Sequence, residues 1–286
     1  MGSYFSLPVT YKIRKHIFKI PHGLRQGRAL SFLSFFLPAC LLIFFPDTGN
    51  GQANLCRQIP ENEHLTYKAF YNAGFFRFYG GTVTFSCRHY SGFSGIPRLE
   101  LVSTGKTLPK YNWFYRIDDR YQAQFYCQAG STETFEQQTS EGNKKLHWRY
   151  YYDISNREVT ITDMMKGDTL LIHDTVLPMD ILTAVYRCRF LPFDTCTATR
   201  KFYLRVLLNN STETIEITYH HQGSIRLNKS APRDSYFFTA RVPGGTLFRK
   251  DKDLRIWVSA DRQRVPLLVE APVVIGSVMA VLQLPH

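Results

Sequence analysis

The fold class follows from a short stretch in which side-chain character alternates residue by residue, Leu65-Thr66-Tyr67-Lys68-Ala69-Phe70-Tyr71. Every second residue from Leu65 onward is apolar, and the residues between them include Thr66 and Lys68. Successive side chains of a strand point to opposite faces of a sheet, so this period of two predicts a strand with one face on a core.

The same alternation recurs farther along the chain, in Val83-Phe85-Cys87, Tyr121-Ala123-Phe125-Cys127, Leu146-Trp148-Tyr150-Tyr152 and Ile215-Ile217-Tyr219. Gly, Asn and Pro residues punctuate the runs at 72–74, 80–81, 140–143, 209–210 and 243–245. Strands that recur every ~8 to 15 residues between turn signals are typical of antiparallel sheets. We therefore predict a mainly β protein, built as an antiparallel curled sheet or barrel-like roll.

One segment, near 178–187, has helical rather than strand spacing. Its apolar residues Ile181, Leu182, Val185 and Tyr186 share one face of a helix, and Asp180 places negative charge near its start. No linker rich in Pro, Ser or Gly divides the chain. The pattern predicts a single β-rich domain over residues 54–286, whose sheet halves are joined at this helix.

The first 53 residues resemble a leader for export. A basic segment precedes the apolar run 29–45, and Gly51 and Ala53 form a small-x-small cleavage site. We predict a signal peptide (1–53) that is removed, and an exported protein of the periplasm or cell envelope. Two alternatives stay open: an anchor formed by 29–45, which is shorter than the roughly 20 residues of a helical span, and a lipoprotein processed at Cys40.

The chain carries a formal net charge of +12. Without residues 1–53, Lys and Arg still exceed Asp and Glu by seven. These charges are spread along the chain rather than gathered in blocks, which argues against nucleic acid. A positive surface favours anionic lipid or glycan surfaces, so the expected partners are a lipid, a glycan or another envelope protein; the oligomeric state is left open.

Five cysteines follow the leader: Cys56, Cys87, Cys127, Cys188 and Cys196. An exported protein meets an oxidising compartment, where disulfides form. Cys188 and Cys196 flank a short loop that contains Pro192, which makes them the candidate pair. An odd number leaves at least one thiol unpaired, and Cys87 and Cys127 fit equally well as buried small hydrophobes or as members of a second bridge.

No motif of a P-loop, a zinc protease or a dinucleotide site is present, so we predict no catalytic residue, no metal and no cofactor. His220 and His221 end an alternating run, and neighbours on a strand point to opposite faces, so they are not expected to share a metal. Asp118 and Asp119 precede a strand and fit a turn. A hydrolase needs two carboxylates across a cleft, and that remains an alternative.

Aromatic residues are in excess, in Tyr111-x-Trp113-Phe114-Tyr115 and Trp148-x-Tyr150-Tyr151-Tyr152. Alternation places rings on both faces of these predicted strands. Two explanations are open: a thick core, or an aromatic groove for an amphiphile or glycan, since rings offer apolar area and Tyr hydroxyls offer polar anchors. Trp113, Tyr115, Trp148 and Tyr150 are accordingly candidate binding residues.

Several segments resemble an exported bacterial family called domain of unknown function 3108, in a form similar to its Bacteroidetes members: DILTAVYRCR (180–189), LRIWVSAD (254–261), RVP (264–266) and PVVIGSV (272–278). The likeness covers most of 61–284. It implies a β-rich envelope domain with no assigned activity. The matching positions add further binding candidates, Tyr186, Arg189, Trp257, Asp261 and Arg264, together with Pro266.

The resemblance implies structural roles for some of these residues. Arg189 and Asp261 are expected to form an ion pair that docks the helix on the sheet. Cys188 and Cys196 depart from the family pattern, which implies a disulfide particular to this chain. From the residues themselves, 261–263 interrupt two apolar runs and predict a turn, Pro266 predicts the start of an edge strand, and 273–284 predict a central hairpin or bent strand.

These observations favour a non-catalytic envelope protein whose curled sheet binds or shelters an apolar or glycan-bearing ligand. The alternatives are a hydrolase of envelope polysaccharide or peptidoglycan, and an assembly factor without a small ligand.

Overall fold

The computed structural model describes residues 55–73, 76–92, 95–113, 115–193, 198–227, 230–242, 252–273 and 276–284. The predicted leader and its alternatives, the anchor at 29–45 and Cys40, lie outside these residues. Within them, no helix combines the length and the apolar character that crossing a membrane requires.

Fifteen strands follow one another: β1 (His64–Ala73), β2 (Phe76–Ser91), β3 (Pro97–Thr107), β4 (Asp118–Tyr126), β5 (Ser131–Glu141), β6 (Lys144–Asp153), β7 (Glu158–Asp163), β8 (Thr169–His173), β9 (Met179–Asp180), β10 (Arg200–Leu208), β11 (Ser211–Ile225), β12 (Arg233–Arg241), β13 (Leu254–Ser259), β14 (Pro266–Pro272) and β15 (Ser277–Leu282). Two α-helices are described, α1 (Leu55–Gln58) and α2 (Ile181–Cys188), together with a 3-10 turn at Pro109–Tyr111.

All fifteen strands belong to one sheet built from two meanders. Strands β1 to β8 pair consecutively and antiparallel, as do β10 to β15, and the short β9 adds to β10 in parallel. The meanders join where β1 pairs with β15, for example at Tyr67 and Leu282. The sheet curls without closing, and β8 and β9 are its outer strands. The predicted curled antiparallel sheet is therefore confirmed.

Antiparallel pairing determines which connections share an end of the sheet. The connections β1–β2, β3–β4, β5–β6 and β7–β8 lie at one end of the first meander, and the connections β2–β3, β4–β5 and β6–β7 lie at the other. Helix α1 lies at the second end, because Cys56 is bonded to Cys127 just after β4. Side chains on connections can therefore gather at either end of the curl.

Helix α2 fills the concave side of the sheet. All residues from Ile181 to Tyr186 are buried, and Leu182 and Ala184 are fully buried. The helix packs on β3, β4, β9 and β10. A helix that is apolar over most of its surface is stable when other elements surround it. The predicted helix near 178–187 is confirmed, with its start at Ile181.

Asp180 caps the start of α2. One carboxylate oxygen accepts a hydrogen bond from the backbone N–H of Thr183 at 2.8 Å, and the other accepts the hydroxyl of Thr132 on β5. Such a cap satisfies an N–H that has no partner within the helix. Burial raises the pKa of Asp180, although the hydrogen bonds from Thr132 and Thr183 oppose that effect.

The predicted turn at 261–263 is present, but the strand after it is not an edge strand. Asp261 Oδ1 accepts the backbone N–H groups of Gln263 and Arg264, at 2.9 and 3.0 Å, and so closes the turn. Pro266 begins β14, which lies between β13 and β15. Proline is tolerated there because it is the first residue of its strand. Within 273–284, predicted as a central hairpin or bent strand, the described residues form one strand, β15, which lies between β14 and β1.

His220 and His221 lie within β11 rather than at its end. A bulge interrupts the pairing of β11 with β12 between Tyr219 and His221. Both imidazoles consequently pack on the Phe237 ring, at centroid distances of 5.2 and 5.5 Å. The prediction of opposite faces was wrong because a bulge breaks the alternation of side chains. The described residues hold no group of three or more potential metal ligands.

Candidate functional site

The candidate residues separate into two regions at opposite ends of the curl, with three more residues between them. Tyr186, Arg189, Asp261 and Arg264 surround the C-terminal end of α2, and we refer to this region as the junction. Trp113 and Tyr115 lie in the β3–β4 connection at the other end. The remaining candidates, Trp148, Tyr150 and Trp257, lie on strands.

Arg189 forms the central contact of the junction. Its Nη1 and Nη2 donate to the two carboxylate oxygens of Glu63 at 2.6 and 2.7 Å. The side chains are 2% and 7% exposed. Arg189 also donates to the carbonyl oxygen of Gln263 at 2.8 Å. The predicted Arg189–Asp261 ion pair was therefore wrong: the Asp261 carboxylate serves its own turn, and Arg189 reaches that turn through the backbone.

Tyr186 lies between Arg189 and the sheet. Its ring packs against Phe85 at a centroid distance of 6.4 Å, and its hydroxyl is buried with no hydrogen-bond partner among the described residues. Burial raises its pKa well above the ordinary value. Beside it lies a cavity of about 10 Å³, which is close to the room that one water molecule needs. The junction is therefore close-packed.

Cys87 is the buried thiol nearest this region. Its Sγ donates to the carbonyl oxygen of Pro60 at 3.2 Å. Burial raises its pKa to about 11, so the thiol is protonated at neutral pH. A protonated thiol is a poor nucleophile. Cys87 therefore acts as a small buried residue of the core.

Arg264 fixes the loop that follows α2. Its Nη1 donates to the carbonyl oxygen of Leu191 at 2.7 Å, and its guanidinium lies over the Phe193 ring, 4.6 Å from the centroid. Cation–π contact of this kind adds attraction where the groups are partly desolvated. Together with Arg189, it attaches the segment after the helix to the β13–β14 turn.

A disulfide joins Cys56 of α1 to Cys127, at the end of β4. This pair was not predicted, because 71 residues separate its members and neither lies near the other in sequence. Cys127 is thus a member of a bridge, whereas Cys87 is a buried thiol. Cys188 is the last residue of α2, and Cys196 lies outside the described residues, so the Cys188–Cys196 pair stays a prediction.

The three candidates on strands serve packing. Tyr150 is buried and donates to Asn210 Oδ1 at 2.9 Å, which connects β6 to the β10–β11 turn of the second meander; burial raises its pKa. Trp148 is half-buried against the core. Trp257 packs on Phe237 with ring centroids 4.9 Å apart. The thick-core explanation therefore fits Trp148 and Tyr150, whereas Trp257 packs on a ring at the other face of β13 from Ile256 and Val258.

Trp113 and Tyr115 are placed differently from the prediction. The segment is not a strand, because Pro109 opens a 3-10 turn and a loop follows. Trp113 is 83% exposed and Tyr115 is 41% exposed. Phe114 lies outside the described residues. Two large rings thus extend from a connection at the end of the curl.

Sequence reasoning missed two further exposed rings at this end of the curl. Phe76 and Phe78, at the start of β2, are 77% and 44% exposed. The Phe78 ring lies 5.9 Å from that of Tyr111 in the 3-10 turn. The backbone N–H of Leu108 donates to the carbonyl of Gly80 at 2.9 Å, which joins the β3–β4 connection to β2. The run Phe75-Phe76-Arg77-Phe78 after a turn was the available signal.

Two more connections continue this surface. The N–H of Gly142 in the β5–β6 turn donates to the carbonyl of Arg116, and the N–H of Met164 in the β7–β8 connection donates to that of His147, both at 2.8 Å. Leu146, Met164 and Met165 are 37%, 40% and 59% exposed. We call the described residues 76–78, 108–113, 115–117, 142–146 and 164–168 the rim.

Two carboxylates are buried just below the rim. Asp119 and Glu141 are 1% and 4% exposed, and Asp119 Oδ1 accepts the backbone N–H of Ser140 at 3.0 Å. Tyr115 lies near both: its partial burial raises its pKa to about 12, and the charges of Glu141 and Asp119 add to this effect. Chemically, the arrangement offers two carboxyl groups and a phenol at one end of the curl.

A sheet that curls around a buried helix in this way defines a β-barrel-like protein that is not closed, because β8 and β9 do not pair with each other. The chain belongs to the DUF3108 family of proteins of unknown function, whose model matches residues 66–283. None of the curated proteins matches the chain.

Solved structures similar to the chain include the following two. The first is a β-barrel-like protein of the domain of unknown function DUF1849 from Brucella abortus, with 9% identity, a TM-score of 0.50, and coverage of 79% of this chain and 97% of the other. The second, from Parabacteroides distasonis and provisionally described as a lipoprotein, has 8% identity, a TM-score of 0.25, and coverage of 78% and 95%. The first likeness concerns the fold alone.

Proposed function

We propose that this protein is an exported, non-catalytic protein of the cell envelope that binds an apolar or glycan-bearing partner with its rim. The observation that carries the proposal is the exposure of Phe76 and Phe78 at the start of β2 and of Trp113 and Tyr115 in the β3–β4 connection, two segments that meet at the Phe78–Tyr111 ring contact. Single exposed apolar residues are ordinary on a soluble protein, but a contiguous apolar patch marks a binding surface.

The rim, rather than the concave side of the sheet, is the place for this partner. The concave side is filled by α2 and by the core side chains around it, and the cavity beside Tyr186 is of water size. A partner of any greater size would have to displace the helix. On the rim, the rings already face solvent, so binding would release water from apolar surface without such a cost.

Charged groups in the junction support a non-catalytic role there. Arg189 and Glu63 bind each other, Asp261 accepts backbone N–H groups of its own turn, and Arg264 donates to a backbone carbonyl of the loop after α2. These contacts hold α2 and the loop after it against the sheet. On this proposal, residues 180–189 and 254–266 resemble the DUF3108 family because the fold requires these contacts.

The test uses a neutral amphiphile that carries both a sugar and an alkyl chain, dodecyl maltoside below its micellar concentration. Binding is followed by native mass spectrometry, whose signal does not depend on Trp113. We expect binding by the unaltered protein and at least tenfold weaker binding by F76A/W113A. The matched control is Y151A/Y203A, which removes two exposed rings from strands β6 and β10. Equal binding by the two double variants would overturn the proposal.

A second candidate, a hydrolase of envelope polysaccharide or peptidoglycan, has one observation in its favour. Asp119 and Glu141 are buried near each other and near Tyr115, below the rim. A carboxylate and a carboxylic acid form the usual machinery of glycoside hydrolysis. Release of reducing ends from purified peptidoglycan, abolished by both D119N and E141Q, would support this candidate; no release by the unaltered protein would remove it.

Export is part of the proposal, and the Cys56–Cys127 disulfide supports it, because structural disulfides persist in oxidising compartments. N-terminal sequencing of the protein recovered from the envelope tests the leader. A first residue at Asn54 supports cleavage after Ala53, and a start at Cys40 supports lipidation. An intact N-terminus supports the anchor at 29–45.

A further inference from the structure

We propose that the rim is a docking surface for an anionic lipid bilayer. The inference rests on the proposed function and deepens it, because it names the partner that the rim contacts. Its argument combines the shape, the apolar side chains and the charge of the same residues.

The shape of the rim suits a flat surface better than a small molecule. Backbone hydrogen bonds join its segments to one another or to the adjoining strands: Leu108 donates to Gly80 of β2, Gly142 donates to Arg116, and Met164 donates to His147 of β6. The exposed apolar side chains are distributed along this line instead of converging on a pocket. Small ligands are usually held in concave sites that enclose most of their surface, whereas a row of protruding tips can insert side by side into an interface.

The apolar side chains at these tips are of the kinds that enter the boundary of a bilayer. Trp113 and Tyr115 are amphipathic rings, which are enriched at membrane–water interfaces. Phe76 and Met165, 77% and 59% exposed, lie at the two ends of the row. Transfer of each of these side chains from water to the headgroup–acyl boundary is favourable.

The charge of the rim matches an anionic surface. Six Lys or Arg residues lie in the rim against one acidic residue, Asp168; the six are Arg77, Lys110, Arg116, Lys144, Lys145 and Lys166. Two of the six, Arg116 and Lys166, also lie near carboxylates at the border of the rim, Asp118 and Asp163, at 3.5 and 3.9 Å. Basic residues interspersed with aromatic rings are attracted to anionic headgroups.

Two of these cations are held beside rings. The Arg77 guanidinium lies 4.3 Å from the centroid of the Phe70 ring, and Lys110 Nζ lies 4.9 Å from that of Tyr111. Such contacts keep positive charge next to apolar surface. A neutral glycan would make no use of this charge, whereas an anionic bilayer would meet both features at once.

The test compares vesicles of phosphatidylglycerol and phosphatidylethanolamine in equal parts with vesicles of phosphatidylcholine alone. Every variant is made in the full chain, so any contribution of residues 1–54 is common to all. Binding is measured by co-sedimentation, and insertion by quenching of tryptophan fluorescence with brominated lipid. Trp113 reports on the rim, because Trp148 and Trp257 are half-buried.

We expect preferential binding to the anionic vesicles, weakened by salt, and quenching that W113F removes. K144E/K145E should weaken binding by at least ~25-fold, since each basic residue near an anionic surface contributes about a factor of five. The matched control is R226E/R233E, which makes the same change of charge at exposed positions by the β11–β12 connection, at the other end of the sheet. Thermal unfolding confirms that both variants are folded.

Equal binding to the two kinds of vesicle, or equal effects of the two charge variants, would overturn the inference. The dodecyl maltoside experiment keeps the two proposals apart. If the rim binds the neutral amphiphile but not anionic vesicles, the proposed function stands and the bilayer is excluded. If it binds neither, both fail. Retention of the unaltered protein on a soluble polysaccharide without vesicle binding would assign the rim to a glycan.

Discussion

Arg189 and Glu63, which are 126 positions apart in the sequence, form a buried bidentate ion pair. Arg189 follows the last residue of α2, and Glu63 precedes β1. The pair therefore ties the helix of the concave side to the strand at which the two meanders meet. Because Arg189 also donates to the backbone of the β13–β14 turn, a single guanidinium connects three parts of the chain.

Removing one partner of this pair should be costly. We expect E63Q to lower the free energy of unfolding by ~3 to 5 kcal/mol, because it leaves the guanidinium buried without its countercharge. The measurement is urea unfolding followed by circular dichroism. R241Q is the matched control: it breaks the Arg241–Asp253 pair, whose Arg is 62% exposed, and should cost less than ~1 kcal/mol. Equal losses in the two variants would contradict the assignment.

Asp180 should make stability depend on pH in a defined direction. Its pKa is raised by burial from the ordinary 3.8. Between that value and the folded-state pKa, the folded protein binds more protons than the unfolded chain, so this group's contribution to stability falls as pH rises and is constant above the folded-state pKa. D180N lacks this ionisable group. As pH rises between the two pKa values, the stability of D180N relative to the unaltered protein should therefore increase.

Urea unfolding at several pH values from 3 to 8 measures this difference. D180A serves as the control for the helix cap, because it removes the acceptor for the Thr183 N–H at every pH and should cost ~1 to 2 kcal/mol. A difference between D180N and the unaltered protein that is constant over the whole range would contradict the raised pKa.

The disulfide should contribute substantially to stability. Closing a loop of 71 residues restricts the unfolded chain by ~4 kcal/mol in the chain-entropy model. We therefore expect C56S/C127S to lower the free energy of unfolding by about this amount. C87S is the matched control, since it changes a buried thiol that closes no loop in the described chain. A loss in C56S/C127S no greater than that in C87S would show that the bridge adds little.

Tyr67 and Tyr186 offer a paired test of the junction. The Tyr67 hydroxyl donates to the carbonyl of Pro266 at 2.9 Å, whereas the Tyr186 hydroxyl has no partner among the described residues. Y67F should therefore destabilise the protein by ~1 kcal/mol, and Y186F should leave stability unchanged or raise it. Thermal and urea unfolding compare the two. A loss in Y186F as large as that in Y67F would contradict the assignment.

Sequence patterns predicted the features that depend on near neighbours. The period of two around Leu65–Tyr71 and the helical spacing from Ile181 are local consequences of which face is buried, so both elements were found in place. The turn closed by Asp261 is likewise local, because its acceptor and donors lie within three residues.

Features that depend on distant residues could not be predicted in this way. Glu63 as the partner of Arg189, and Cys56 as the partner of Cys127, are set by the order of strands in the sheet. The residues adjacent in sequence to these four side chains do not specify the order of the strands. The bulge at Tyr219 also escaped prediction, since one extra residue in a strand leaves no mark in composition.

The rim escaped prediction for a different reason. Alternation of rings around Trp113 suggested a strand, but Pro109 begins a 3-10 turn that takes the segment out of the sheet. The neighbouring contributions come from the start of β2 and from the β5–β6 and β7–β8 connections with the residues beside them, each too short to show a pattern. Only antiparallel pairing, which brings alternate connections to one end, makes a surface of them.

The pairing of β1 with β15 has a consequence for how the chain reaches this structure. Each meander can grow from neighbouring hairpins. The Tyr67–Pro266 contact, which lies beside the β1–β15 pairing, spans 199 residues. Such distant contacts form slowly, because a long loop must close before they contribute. Until β15 arrives, one edge of β1 is unpaired, and an unpaired apolar edge invites association with other chains. Newly made molecules would therefore need protection during that interval.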